Sequence, residues 1–203
     1  RCMHASGTER EYIENAIEGG LEILGFSDHT PYPYPEGYVS GIRMRVEQLE
    51  EYVDTVLALK KEYREDIEIH LGLEVEYYKD YFAQLQSLVA QYPIEYFLLA
   101  QHNIGCEIGG DWSGKATSDR KTLQAYCEQT GAAMETGFFT YFAHPDLIRF
   151  TGDDEVYGEE MRQLCQRARR CQVPLEINFL GLHEGRHYPD ERFWKIAGEE
   201  GCE

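Results

Sequence analysis

The chain has 203 residues, of which 42% are hydrophobic and 13% aromatic. That is enough for one sizeable core and predicts a single domain over residues 1–203. No apolar run approaches the roughly 18 residues that a membrane-spanning helix needs, so no membrane partner is expected. The net charge of −18 argues against nucleic acid as a partner, because surfaces that bind nucleic acid are basic. A phosphorylated ligand would need a local positive centre, and bound metal ions are the obvious source.

The cysteines are scattered and form neither a CxxC pair nor a metal-binding spacing. They are Cys2, Cys106, Cys127, Cys165, Cys171 and Cys202. No secretory signal opens the chain, so we expect reduced thiols in a cytoplasmic protein.

The first predicted elements are a capped helix and a buried strand. Thr8 and Glu11 fit a capping box, in which each side chain accepts a hydrogen bond from the other residue's amide. The helix that follows ends at Gly19-Gly20. A strand is then expected over 21–26, and it runs out into His29 and a proline-rich loop that cannot continue a ladder.

The rest of the chain alternates between helices and short apolar strands. Helices are expected over about 43–64, about 81–91, from a cap at Ser118, up to about Cys171 and over about 189–198. Strands are expected over 67–73, 96–100, 138–143 and 173–177, with a glycine-rich excursion at 105–114 and a loop at 181–188. This order predicts a parallel α/β fold. Five such units, with a front and a back expected to be missing, favour a barrel of seven or eight strands over an open sheet.

Polar side chains follow the ends of four of these strands. They are His29, Glu74, His102 and His144. The carboxyl ends of parallel strands meet on one face, so these four side chains predict a metal site there. Imidazole and carboxylate suit zinc, iron(II) and manganese. His144 alone could equally be structural, but four independent strand ends are unlikely to imitate a site together.

Glu74 is the residue that could bridge two ions, because a carboxylate has two oxygens. Two ions about 3.5–4 Å apart can activate a water and neutralise phosphoryl oxygens during displacement, which suits phosphate-ester hydrolysis. Glu76 faces the same side of its strand, where we expect it to support a ligand residue or lie at the surface. Arg149 and Arg186 lie on the presumed active face as candidate phosphate clamps, whereas His183 and His187 are expected to be solvated.

Taken in order, four segments resemble the PHP (polymerase and histidinol phosphatase) superfamily. They are Gly25-Phe26-Ser27-Asp28-His29, Gly72-Leu73-Glu74, Gln101-His102-Asn103 and Ala143-His144-Pro145-Asp146. The closer resemblance is to the monofunctional histidinol-phosphatases. It is supported by Cys2 to Thr8, by Glu176-Ile177-Asn178 and by Arg186-His187-Tyr188-Pro189.

This resemblance implies a distorted (βα)7 barrel with two to three divalent ions (zinc, iron or manganese) at the strand ends. Glu74 resembles the bridging ligand, with Glu74, His29 and His102 as the catalytic set. His102 and His144 resemble ligands of one ion, and His4 and His29 ligands of another. Arg149, Arg186 and Asn178 are then expected to bind the substrate.

Two motifs of that family are not in the sequence. The family opens with an HxH motif, which would precede Arg1, and closes with a GxDxH motif, which would follow Glu203. We therefore expect a domain that is incomplete at both ends and lacks the first and last strands of its barrel.

The function expected from the resemblance is hydrolysis of L-histidinol phosphate to L-histidinol and phosphate. One alternative is a broader phosphoesterase that acts on other small phosphates or on nucleotides. The other is an inactive fragment or binding domain. The sequence does not predict an oligomeric state.

Overall fold

A computed structural model gives the fold and describes residues 1–2 and 5–203. The predicted metal ligand His4 lies outside the described residues. The chain divides into two compact units, which are described separately. The first contains residues 1–74 and 79–97, and the second contains residues 75–78 and 98–203. The assignment of residues 1–203 to a single domain stays a prediction.

The first unit is built on two parallel strands. Its elements are α1 (Glu9–Glu18), β1 (Ile23–His29), a short 3-10 helix (Val46–Gln48), α2 (Leu49–Glu62), most of β2 (Glu68–Val75), α3 (Lys79–Val89) and the start of β3 (Tyr96–Leu99). The predicted capping box of α1 is confirmed, with both reciprocal hydrogen bonds between Thr8 and Glu11. The helix predicted over 43–64 starts later, with the 3-10 turn at Val46 and α2 at Leu49.

Tyr96 fixes how the strands of this unit meet. β1 and β2 pair in parallel, from Ile23 opposite Glu68 to His29 opposite Glu74. The Tyr96 hydroxyl donates to Phe26 O at 2.9 Å, and burial raises the pKa of this phenol to about 12, so it stays a donor. A Cβ on Gly25 or on Gly72 would overlap the Tyr96 side chain. The glycines of two predicted motifs are therefore required by the space that one aromatic ring takes.

The second unit continues the parallel pairing and adds helices. Leu98 and Leu99 of β3 pair in parallel with β6 (Tyr141–Phe142). The Ala100 amide donates to Val75 O at 3.0 Å. The remaining elements are β4 (Asn103–Ile104), β5 (Asp111–Trp112), α4 (Arg120–Glu135), α5 (Asp154–Cys171), α6 (Phe179–Glu184) and α7 (Glu191–Glu200). The predicted glycine-rich excursion is an antiparallel pair, β4 with β5.

Four expectations for the second unit are corrected. The strand predicted over 138–143 is confined to Tyr141–Phe142, and the one predicted over 173–177 is only a bridge between Leu175 and Phe142. Asp119 caps α4 instead of Ser118, because α4 begins at Arg120 and the Asp119 carboxylate accepts from the amides of Lys121 and Thr122. The loop predicted over 181–188 includes the last turn of α6, which Asn178 caps.

The α/β class with parallel strands is confirmed, while closure into a barrel stays a prediction. Cys106, Cys127, Cys165, Cys171 and Cys202 are free thiols, as expected. Among the described residues, the helices are all too short or too polar to cross a membrane.

The contact between Tyr96 and Gly72 predicts the effect of adding one methyl group. Gly72→Ala should destabilise the fold by about 1–3 kcal/mol, the usual cost of overpacking. Gly158→Ala is a matched control, since nothing lies within 4 Å of the added Cβ and alanine favours a helix interior by about 0.5–1 kcal/mol. Urea unfolding measures both. If Tyr96→Leu fails to relieve the cost of Gly72→Ala, the ring is not the obstacle.

Candidate metal centre

In the first unit, strand register alone brings one imidazole beside one carboxylate. His29 is the last residue of β1 and lies directly opposite Glu74 of β2. His29 Nδ1 is 3.9 Å from Glu74 Oε1, and the Thr30 amide donates to Glu74 O at 2.9 Å. His29 is therefore the last residue of the strand. The sequence had placed it just after the strand. The predicted pair of ligands is brought together.

This pair borders a cavity of about 460 Å³ in the first unit. Ser27, Asp28, His29, Tyr52 and Glu74 are among the residues that line it. The Tyr52 hydroxyl donates to Gly72 O at 2.9 Å, and burial raises its pKa, so the phenol stays neutral here. Glu9, Asp28 and Glu74 give carboxylates to this cavity, and Arg1 pairs with the first two of them.

In the second unit, a buried carboxylate holds the imidazole of His102. Glu76 is fully buried, and its Oε1 is 2.9 Å from His102 Nδ1. A buried carboxylate needs a partner of this kind, because an unpaired buried charge is costly. The sequence predicted that Glu76 either supports a ligand residue or lies at the surface. Its burial beside His102 agrees with the first alternative.

His144 lies beside His102 in an unusual backbone conformation. The two ring centroids are 5.0 Å apart. His144 has a φ of 34°, in the left-handed region that few residues other than glycine adopt, and it precedes Pro145. Its amide donates to Glu176 Oε2 at 3.0 Å, which helps to hold this strained turn. Backbone strain of this kind is concentrated at functional sites.

Trp112 packs against the His102 ring and was missed by the sequence analysis. The indole stacks on the imidazole with 5.7 Å between centroids and 8° between planes. The Ser113 amide donates to His102 O at 2.7 Å, which fixes the β4–β5 segment against this residue. A tryptophan in a glycine-rich segment shortly after His102 was the only available signal.

The three predicted substrate-binding residues also lie in the second unit. Arg149 is exposed. Arg186 is exposed and pairs with Glu184 at 2.6 Å and with the Tyr188 hydroxyl at 2.6 Å. Asn178 caps α6 through its Oδ1, 2.8 Å from the Gly181 amide, while its Nδ2 donates to Glu176 at 3.2 Å. The side-chain amide of Asn178 therefore already caps a helix and contacts Glu176.

The donor chemistry of each unit fits a divalent transition metal. The second unit presents the imidazoles of His102 and His144, and because Glu76 contacts His102 Nδ1, a metal ion there would be bound through Nε2. The first unit presents His29 and the carboxylate of Glu74. Imidazole nitrogen and carboxylate oxygen are the ligands of zinc, iron and manganese sites.

Comparison with known families agrees with this donor set. The model of the PHP domain matches residues 1–179. The chain belongs to the PHP domain family. The family resemblance expected from the four strand-end motifs is thereby confirmed.

Curated relatives of this PHP domain carry the name histidinol-phosphatase. One from Deinococcus radiodurans, named "probable histidinol-phosphatase", is 29% identical over 164 residues, covering 77% of this chain and 62% of that protein. Another of the same name, from Schizosaccharomyces pombe, is 28% identical over 234 residues, covering 100% of this chain and 74% of that protein. The chain thus spans less than two thirds of the Deinococcus relative's length.

Two crystal structures share the fold of this PHP domain. One is of HisK from Listeria monocytogenes, with a TM-score of 0.79 at 20% identity, covering 99% of this chain and 88% of that one. The other is a Lactococcus lactis histidinol phosphate phosphatase in complex with zinc, L-histidinol and phosphate. It has a TM-score of 0.71 at 18% identity and covers 98% of this chain and 75% of that one.

The contact between Glu76 and His102 predicts a loss of metal affinity when the charge is removed. Glu76→Gln keeps the size but makes the imidazole a weaker ligand, so zinc affinity should fall about 10–100-fold. Competition with a chromophoric chelator measures it. Glu36→Gln removes the same charge from an exposed position and serves as the control. Equal affinities for both variants would exclude a supporting role for Glu76.

Proposed function

We propose that the protein is a metal-dependent phosphomonoesterase that hydrolyses L-histidinol phosphate to L-histidinol and phosphate. The observation that carries the proposal is the buried Glu76–His102 pair with His144 beside it, in a chain of the PHP domain family. A carboxylate that holds an imidazole in this way is the usual companion of a metal-binding histidine. The names of the curated relatives support the choice of substrate.

The proposed ligands are those expected from the strand ends. They are His29, Glu74, His102 and His144, with His4 as a further candidate. Two to three zinc, iron or manganese ions are proposed. When bound, such ions polarise phosphoryl oxygens and activate the attacking water. Glu74, His29 and His102 are the proposed catalytic residues because their donor atoms would hold the ions that the phosphoryl group meets.

Arg149 and Arg186 are proposed to hold the phosphoryl oxygens. A guanidinium can donate two parallel hydrogen bonds to a phosphate. Arg186 already pairs with Glu184, but both side chains are more than 40% exposed, and an ion pair at the surface contributes only about 0–1 kcal/mol. A phosphate dianion can therefore displace Glu184 at little cost.

Asn178 is proposed to contact the imidazole or amino end of the substrate. An amide nitrogen has two hydrogens, and one of those on Nδ2 points to Glu176. The second is the group that would reach the substrate, so binding need not break the cap of α6.

The runner-up is a PHP phosphoesterase of broader specificity. The proposed metal site suits small phosphate esters in general, and specificity would depend on contacts beyond the phosphate. Phosphate release from L-histidinol phosphate, compared with a panel of sugar phosphates and nucleotides, separates the two. A preference of orders of magnitude for histidinol phosphate supports the main proposal, and similar rates across the panel support the broader enzyme.

Substitution of Glu74 tests the proposed metal centre. Glu74→Gln keeps the volume but weakens anionic ligation, so the variant should lose at least one metal ion and nearly all phosphatase activity. Metal analysis of the purified protein and the rate of phosphate release measure the two effects. Glu68→Gln, on the same strand but exposed, should change neither. Near-normal metal content and rate in Glu74→Gln would rule out the bridging role.

Substitution of the two arginines tests the proposed phosphate clamp. Arg149→Ala and Arg186→Ala should each lower kcat/KM by about 10–100-fold, corresponding to the roughly 1.5–3 kcal/mol of a hydrogen bond to a charged group. Metal content should be unchanged. Arg170→Ala removes an exposed arginine from the end of α5 and is the control. If both variants match that control, the proposed clamp is wrong.

A further inference from the structure

We propose that Asp146 is a positioning residue for the phosphate-binding segment. It would fix residues 186–190, which carry Arg186, against the turn that carries His144. The inference rests on the proposed function, because it assigns Arg186 to phosphate binding. It adds a residue outside the proposed metal-ligand and substrate-binding sets.

The carboxylate of Asp146 joins two parts of the second unit that are distant in sequence. Asp146 is 1% exposed. Its Oδ2 accepts a hydrogen bond from the Asp190 amide at 2.6 Å and another from the Trp194 indole at 3.0 Å. A single buried oxygen therefore holds both the end of the 186–190 segment and the first turn of α7.

A second contact ties the same two segments together. His187 Nε2 is 2.8 Å from Leu147 O, so His187 is not the solvated residue that the sequence suggested. The turn itself is closed by the Leu147 amide, which donates to His144 O at 3.0 Å. Asp146 and Leu147 thus hold the segment from within the turn that sets the backbone of His144.

Tyr188 transmits this constraint to Arg186. Tyr188 is buried at 5% exposure and lies between the two ties, at His187 and Asp190. Its ring centroid is 5.9 Å from that of His144. Its hydroxyl accepts from Arg186 Nη1 at 2.6 Å. If Asp146 releases the segment, Tyr188 loses its anchor and the guanidinium loses its fixed distance from His144.

The chemistry of the bond suggests an informative pair of substitutions. Asn keeps one oxygen that can accept both hydrogen bonds, whereas Ala removes the acceptor and leaves two N–H groups without it. If Asp146 acts by positioning the segment, Asp146→Asn should therefore behave nearly like the wild-type protein. Asp153→Ala is the matched control, because Asp153 also accepts from two backbone amides, but at the start of α5.

Two measurements test the proposal. In the purified metal-loaded protein, Asp146→Ala should raise KM for histidinol phosphate about tenfold, a factor equivalent to about 1.4 kcal/mol. Metal content should not change. The effect should be non-additive with Arg186→Ala, since a residue that acts through Arg186 has little left to change once Arg186 is gone. In Asp146→Ala, trypsin cleavage after Arg186, followed by mass spectrometry, should become about tenfold faster.

The outcomes separate this inference from the proposed function. Faster cleavage with a non-additive KM effect, restored by Asp146→Asn and absent in Asp153→Ala, supports it. Unchanged cleavage, additive KM effects or loss of metal in Asp146→Ala would overturn it. If the wild-type protein hydrolyses no phosphate ester, the proposed function fails, and the cleavage rates alone decide whether Asp146 fixes the segment. If Asp146→Ala does not fold, Trp194→Phe, which removes one of the two donors, should give a smaller change in the same direction.

Discussion

The register of parallel strands is the constraint on which the pairing of His29 with Glu74 in the first unit depends. His29 faces Glu74 only because β1 and β2 pair as they do, and a slip of one residue would bring Leu73 or Val75 opposite His29. Tyr96 opposes such a slip, since its ring occupies the space over Gly72 and its hydroxyl binds Phe26 O. The packing of Tyr96, at the start of β3, thus helps to determine that His29 of β1 meets Glu74 of β2.

In the second unit, the positions of His102 and His144 depend on hydrogen bonds to carboxylates. Glu76 has no exposed surface, and burial of a carboxylate is tolerated when a partner such as His102 is within hydrogen-bonding distance. His144 is held in a backbone conformation that few non-glycine residues adopt, with its amide bonded to Glu176. These contacts orient the imidazoles, which lowers the ordering cost that a metal ion would otherwise have to offset.

Much of this could be predicted from the sequence, because the signals are local. The capping box of α1 depends on two side chains three residues apart, and the polar residues at strand ends follow apolar runs that can be counted. The expectation failed where strands are short. Only Tyr141–Phe142 of the run 138–143 is a strand, since β-pairing depends on a neighbour that the sequence does not identify. The cap at Asp119 was missed because Ser118 is an equally good candidate by type.

The positions of Trp112 and Asp146 could not be predicted, for a different reason. The role of Asp146 arises from contacts over long sequence separations, as with Trp194. The role of Trp112 arises from stacking on His102, a contact that the residue type alone does not indicate. The same holds for the way an acidic chain could retain a phosphate. With a net charge of −18, the average field repels a dianion, so attraction must come from a few fixed positive groups. Arg186 can supply one of them, because its bond to the Tyr188 hydroxyl fixes the guanidinium while its exposed ion pair with Glu184 is weak enough for a phosphate to replace.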